Sequence, residues 1–266
     1  MGRLVFVGAG LNGTGSLTVD ALQEISEADC IFMEAYTTFI PREFEEELFR
    51  RTGKRVKRLS RGEVERGSIV IGAAMKSRCV FISGGDPMSA TTHVSMRLSA
   101  KKHGIDTVII PAPSILTAAA SFLGLQHYRF GRIVSMPQFT ASFRPASPIR
   151  NVEFNLKNGL HTLVLLDVDE SRNYYMQPDE CMSQLLELSS RERSTAFSEE
   201  RIICVVSRAG MKSMETVAGT VSSMLKRDFG EPPHCIIIPS KLHFEEAEAL
   251  VAFSGASIDE LRHLID

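Results

Sequence analysis

Glycine, acidic and basic residues recur at the ends of short apolar runs in this chain, where a side chain or a backbone N–H can meet a ligand. Gly8-Ala9-Gly10-Leu11-Asn12-Gly13 follows the run Leu4–Val7, and Glu34 closes the next apolar run. This is the G-x-G-x-x-G context in which glycines make a tight turn for a pyrophosphate and an acid about 20 residues on accepts from a ribose hydroxyl. On that motif alone the chain reads as an NAD-dependent oxidoreductase using Gly8, Gly10, Gly13 and Glu34. The turn continues through Thr14-Gly15-Ser16, however, and glycine also punctuates strand-to-helix turns for conformational reasons alone.

Ser83-Gly84-Gly85-Asp86-Pro87 closes the apolar run Cys79–Ile82, and Pro111-Ala112-Pro113-Ser114-Ile115 closes Thr107–Ile110. Ligands of open α/β folds sit just past the carboxyl ends of strands, so these turns could line one crevice. Asp86 can accept from ribose hydroxyls, or it can be a turn acid before a helix beginning near Thr91-Thr92-His93. Later strand ends carry Leu166-Asp167, Ser207-Arg208-Ala209-Gly210 and Pro233-His234. Arg208 can hold a carboxylate in a bidentate fork or serve a structural ion pair. His234 has no His, Cys or Asp partner at ligand spacing, so no metal site is expected.

Arg50, Arg51, Lys54-Arg55-Val56-Lys57-Arg58 and Arg61 form a dense basic run. It could dock on an acidic protein or on ribosome-associated RNA, which would make the chain a non-enzymatic adaptor; a solvated surface is the commoner use. No aromatic residues interleave the charges as base stacking requires, and no direct nucleic-acid contact is expected. The net charge of −2 over 266 residues supplies no overall basic field either.

These positions need a frame of strands and helices. A 44% hydrophobic chain of this length can bury a sizeable core. The first half alternates Leu4–Val7, a helical stretch Thr18–Ile25, Cys30–Met33, Cys79–Ser83 and Thr107–Ile110, a βαβ rhythm with buried parallel strands. The periodicity lapses between Met136 and Pro148, which predicts an amino-terminal lobe over 1–136, a linker over 137–148 and a second lobe over 149–266. That lobe restarts the rhythm with Thr162–Leu166, a helix around Asp179–Leu188, Ile202–Val206, a helix over Thr216–Arg227, and Cys235–Ile238 before Phe244–Phe253. Ser189–Glu200 reads as a polar, mobile excursion. The five cysteines are widely spaced and odd in number, with no disulfide framework, and the first apolar run stops at glycine. Both features point to a cytoplasmic protein with no membrane segment.

Taken in order, Phe6-Val7-Gly8-Ala9-Gly10-Leu11, Glu34-Ala35-Tyr36-Thr37, Gly85-Asp86-Pro87 with Ala90-Thr91-Thr92-His93, and Ala112-Pro113-Ser114-Ile115 match one family. So do Gly159-Leu160-His161-Thr162-Leu163 with Leu166-Asp167, Arg208-Ala209-Gly210, Asp228-Phe229-Gly230 with Pro233-His234, and Lys241-Leu242-His243 with Glu246-Ala247-Glu248. The chain resembles the diphthine synthases, within the tetrapyrrole-methylase-like methyltransferases. The resemblance implies two α/β lobes in series with the cofactor cleft between them, a homodimer, and S-adenosylmethionine as methyl donor. It implies elongation factor 2 as protein substrate, methylated on its 3-amino-3-carboxypropyl-histidine. Carried over by position, the cofactor contacts fall on Leu11, Asp86, Ser89, Ser114, Ile115, Leu166, Ala209 and His234. The chain departs from the family at Asn12–Ser16, which is neutral where relatives are acidic. His93 and His243 are the candidates for assisting loss of the amine proton. Phe143-Arg144-Pro145 and the Ser189–Glu200 stretch resemble the members that also esterify the carboxylate, which favours four methyl transfers over trimethylation alone.

Overall fold

In the computed structural model, residues 2–34, 36, 40 and 43–266 are described. The elements run in chain order as β1 (Arg3–Gly8), α1 (Val19–Glu27), β2 (Cys30–Glu34), α2 (Phe44–Thr52), β3 (Val56–Leu59), α3 (Arg61–Arg66), α4 (Ser68–Ala74), β4 (Arg78–Ser83), α5 (His93–Lys102), β5 (Asp106–Ile110) and α6 (Ile115–Leu123). There follow β6 (Val134–Met136), α7 (Ser147–Lys157), β7 (Thr162–Leu166), the two-residue strands β8 (Val168–Asp169) and β9 (Tyr174–Tyr175), α8 (Pro178–Glu192), β10 (Ile202–Ser207), β11 (Glu215–Thr220), α9 (Val221–Met224), β12 (His234–Ile238), α10 (Phe244–Ser254) and α11 (Ile258–Leu261). The chain divides into two compact units, 1–115 with 168–173 and 116–167 with 174–266.

The first unit carries a five-stranded sheet in the order β3-β2-β4-β1-β5, parallel throughout. Its strands are continuous apolar runs because both faces are covered. Val5, Val7, Val80, Ile82, Ile31 and Met33 face a core completed by Ala21 and Ile25 of α1 and Leu48 of α2. The alternate residues Leu4, Phe6, Cys79, Phe81 and Phe32 face a second core with Val70, Ile71 and Ala74 of α4 and Met96 of α5. That period of two is what sends neighbouring side chains to opposite faces of one sheet.

The second unit departs from the expected repetition of the rhythm. Its sheet has the order β11-β10-β12-β7-β6, with only β6 and β7 parallel and the other pairings antiparallel. The helix expected over Thr216–Arg227 is mostly strand β11, paired with β10 from Ile202↔Thr220 to Ser207↔Glu215. Only Val221–Met224 is helical, with the Thr220 hydroxyl accepting from Ser223 N as its cap. The β-branched residues Thr216, Val217 and Thr220 suit a pleated strand, and a neighbouring strand completes the pairing.

Ser189–Glu200 is no excursion. Its first four residues form the last turn of α8, Arg193 ends the helix at φ 53°, and Ala196 and Phe197 are buried in the core of the second unit. Strand β6 precedes the segment 137–148 yet belongs to the second sheet, so the division between units falls before it, at Ile115 and Leu116.

Candidate active site

At the carboxyl edge of the first sheet, three strand-end turns pack on one another. Gly8 pairs with Ser83, and the chains then cross: Ala9 N donates to Ser83 O at 2.7 Å, Gly10 N to Gly85 O at 3.1 Å and Gly85 N to Gly10 O at 2.9 Å. A Cβ added at Gly8 would lie 2.5 Å from Gly85 O, 2.6 Å from Ala112 Cβ and 3.0 Å from Pro87 Cδ. The glycine is there because the turns after β1, β4 and β5 converge on it.

This packing overturns the dinucleotide reading. A pyrophosphate loop must offer its N–H groups to the ligand at a helix N-terminus. Here Ala9 and Gly10 donate to the neighbouring turn, Asn12 N donates to Ser16 Oγ, and Gly15 N donates to Asn12 O. A 3₁₀ turn occupies Gly13–Ser16, and α1 starts only at Val19, capped by Thr18. Glu34 is fully buried and accepts from Tyr36 N at 3.3 Å, so it is not an exposed acid awaiting a ribose.

Asp86 is half-buried on the β4 turn. Its Oδ1 accepts from Met88 N and Ser89 Oγ, both at 2.9 Å. One carboxylate oxygen therefore holds the turn, as an acid in an Asx turn does. His93 at the start of α5 is buried and donates from Nδ1 to Pro87 O at 2.8 Å, with its ring edge-on to Phe81 at 4.9 Å. Because a carbonyl only accepts, the proton sits on Nδ1; Nε2 is buried without a partner among the described residues. His93 thus pins the turn that carries Asp86. Leu11, Ser89, Ser114 and Ile115 are half-buried at the same edge.

Sequence reasoning overlooked Ser83 and Tyr36 at this edge. Ser83 Oγ and Tyr36 Oη are buried without partners among the described residues. Desolvation first, then Glu34 and Glu65, push the Tyr36 phenol up to about 12, so it stays a hydrogen-bond donor at neutral pH. Its position just past β2 was the available signal. Ala35 and Thr37 of the same sequence match lie outside the described residues.

The edge of the second sheet at which β7 and β10 end and the antiparallel β12 begins carries a corresponding row. Ser207 of β10 faces His234 of β12, and Leu166 lies one step beyond the pair Cys235↔Leu165. His234 Nδ1 meets Ser207 Oγ at 2.8 Å, while Nε2 is buried without a hydrogen-bond partner among the described residues. Burial, the largest influence, pushes the imidazole down to about 4. Ala209 is buried in the turn after β10. Arg208 proves structural: its guanidinium donates to Ser213 O, Phe229 O and Glu231 O at 2.7–2.9 Å, tying the turn to the loop before β12.

His243 is the N-cap of α10. Its Nδ1 accepts from Glu245 N at 3.4 Å, and its own N–H donates to Glu246 Oε2 at 2.9 Å. The basic run is largely occupied as well. Arg58 pairs with Glu45 and Glu170, Arg51 with Glu47, Lys54 Nζ donates to Ala28 O, and Arg61 lies over the Tyr36 ring. Among the described residues no group of three His, Cys, Asp or Glu is placed to hold a metal, and no helix is long and apolar enough to cross a membrane.

Comparison with known proteins follows this geometry. The sequence profile of the tetrapyrrole (corrin/porphyrin) methylases matches residues 3–225. The diphthine synthase of Methanothermobacter thermautotrophicus is 37% identical over 253 residues, covering 95% of this chain and 96% of its own. That of Methanocaldococcus jannaschii is 39% identical over 250 residues, covering 93% and 97%. A crystal structure of a diphthine synthase superposes with a TM-score of 0.88 at 30% identity, over 98% of this chain and 99% of that one.

Proposed function

This chain belongs to the tetrapyrrole methylase family and, within it, to the diphthine synthases, and from that premise we propose how its residues serve methyl transfer in diphthamide biosynthesis. The enzyme is an S-adenosylmethionine-dependent methyltransferase. Its substrate on this reading is elongation factor 2 carrying 3-amino-3-carboxypropyl-histidine, and it works as a cytoplasmic homodimer. The observation that carries the reading is the full-length match to diphthine synthases in sequence and fold, with the dinucleotide alternative removed by the packed glycine turn.

The edge residues fit the cofactor's chemistry. S-adenosylmethionine has no pyrophosphate, so a glycine turn in which Ala9, Gly10, Asn12 and Gly15 already spend their N–H groups on the protein is no handicap. It carries a sulfonium, and His234, held well below neutral pKa by burial, adds no repelling charge while leaving an orphaned nitrogen. On this reading Leu11, Asp86, Ser89, Ser114, Ile115, Leu166, Ala209 and His234 are the residues that hold the cofactor. When bound, it supplies an activated methyl for in-line displacement by the substrate amine. The chain's task is then alignment and exclusion of water, for which effective molarity supplies several kcal/mol. His93 is buried behind the turn it holds and the His243 Nδ1 is spent on a cap, so neither serves as general base in this account. An alkylamine of pKa about 10 loses its proton to solvent once a dry site lowers that value.

Asp86 provides the test. Asn at this position can keep accepting from Met88 N and Ser89 Oγ but loses the charge, whereas Ala loses both. If Asp86 also accepts from the ribose, Asp86→Asn weakens S-adenosylhomocysteine binding by about ten-fold with Tm unchanged, and Asp86→Ala weakens it further, by up to about a hundred-fold. Calorimetry showing wild-type affinity in Asp86→Asn would confine Asp86 to its turn.

A further inference from the structure

Arg201 precedes β10 and lies at the opposite end of that strand from Ser207, about 20 Å away at 3.3 Å per residue. It therefore stands apart from the row proposed to hold the cofactor. Its Nε is buried with no hydrogen-bond partner, and no carboxylate pairs with its guanidinium among the described residues. Burial pushes its pKa down, with no opposing charge acting on it. Removing a guanidinium from water without a counter-charge is unfavourable, and every other buried or half-buried arginine named above has acceptors in place.

Arg201 lines a cavity of about 320 Å³ with Thr195, Ser240, Lys157, Lys241 and His263. Glu153 is the one acid on its wall, and it is taken by Lys157 Nζ at 2.8 Å; Lys241 meets Asp266 at 3.4 Å. The wall is thus cationic, with hydroxyl donors beside the charges. Lys241 also belongs to the Lys241-Leu242-His243 motif, which the cofactor contacts leave unused.

We propose that this cavity is a second ligand site, built on Arg201, for a small oxyanion of the phosphate class, either free phosphate or a phosphate monoester. Arginine's planar fork matches such an oxyanion in two-point contact, and Lys241 and Ser240 stand ready to complete the shell. The cavity lies at the small end of ordinary ligand pockets, which suits a compact anion.

Thermal unfolding of the full chain tests this, with sodium phosphate against sodium chloride at matched ionic strength and glycerol 3-phosphate, a monoester without adenosine, as a second arm. Wild-type Tm is expected to rise by about 3–5 °C at ten times the dissociation constant. A larger rise with glycerol 3-phosphate at equal concentration identifies a phosphate monoester, and a larger rise with phosphate the free ion. Arg201→Met should unfold without ligand at or above the wild-type temperature, since it removes an uncompensated charge, and should lose the phosphate response; Arg201→Gln should lose it too. A response unchanged in both variants, or no response in wild type, overturns the site. So does loss of self-association in Arg201→Met without a phosphate response, which would assign the guanidinium to a second copy of the chain.

Discussion

Gly8→Ala is expected to lower Tm by about 3–10 °C and to weaken S-adenosylhomocysteine binding by ten-fold or more. The added methyl would meet Gly85 O at 2.5 Å and Ala112 Cβ at 2.6 Å. The first of these is backbone, so relief comes only by moving a turn. Overpacking of this kind destabilises by about 1–3 kcal/mol, and each kcal/mol shifts Tm by about 2–4 °C in a chain of this size. The affinity loss follows because the displaced turns carry Leu11, Asp86 and Ser114, and misplacement by about 1 Å can reduce rates a hundred-fold. Gly72→Ala is the control: it lies in α4 with nothing within 4 Å of the new Cβ, and should stabilise by about 1 kcal/mol. Equal behaviour of the two variants would show that the three turns do not converge on Gly8.

Glu246→Gln should destabilise the protein by about 3 kcal/mol at neutral pH, with Tm falling about 6–12 °C. Glu246 is fully buried, and its carboxylate accepts from Gln126 N at 2.8 Å, Arg129 Nη1 at 2.9 Å, His243 N at 2.9 Å and His161 Nε2 at 3.2 Å. His161 Nδ1 accepts from Ser240 N at 3.0 Å, which leaves the ring proton on Nε2 to donate to Glu246. An amide offers one acceptor oxygen and turns two donors toward donors. Burial alone would raise the Glu246 pKa, but the hydrogen bonds from His161, Gln126 and His243 hold it down to about 2, against an ordinary 4.5. A depressed carboxylate stabilises above its unfolded pKa and loses that contribution as pH falls through the folded one. The roughly 3 kcal/mol is therefore complete above about pH 4.5 and disappears toward pH 2. Denaturant unfolding from pH 7 to pH 2.5 should show the wild-type advantage over Glu246→Gln shrinking across that window. A constant difference would mean that Glu246 acts by packing and not by charge.

Sequence reached the first sheet more readily than the second for a physical reason. A strand covered on both faces shows itself as an unbroken apolar run, as in Leu4–Val7 and Cys79–Ile82. β11 lies at the edge of its sheet, and its alternation of Thr, Val, Ala and Gly acquires meaning only beside β10. The strand-end positions of Asp86, Ser114 and His234 were legible because strand ends can be found from the runs themselves. The duties of His93, Arg208 and His243 were not, since each depends on carbonyls or amides that only the folded chain brings within reach. Glu246 was hidden more deeply: its partners Gln126 and Arg129 lie 120 and 117 residues away. A histidine three residues ahead of a glutamate at the start of an apolar run was the trace it left, a capping box with imidazole in place of hydroxyl.

Intact-mass spectrometry of elongation factor 2 bearing 3-amino-3-carboxypropyl-histidine, after exhaustive reaction with this protein and S-adenosylmethionine at neutral pH, tests whether the chain is the methyltransferase described. The account predicts successive methyl additions confined to that histidine and absent from unmodified elongation factor 2. The fourth should be removed by alkali, as an ester is, since a carboxylate of pKa near 4 needs desolvation and no base to attack. A product that stops at three additions, none alkali-labile, would place the enzyme in the trimethylating branch. An elongation factor recovered at its starting mass, from a reaction in which the protein is folded and binds S-adenosylhomocysteine, would contradict the account.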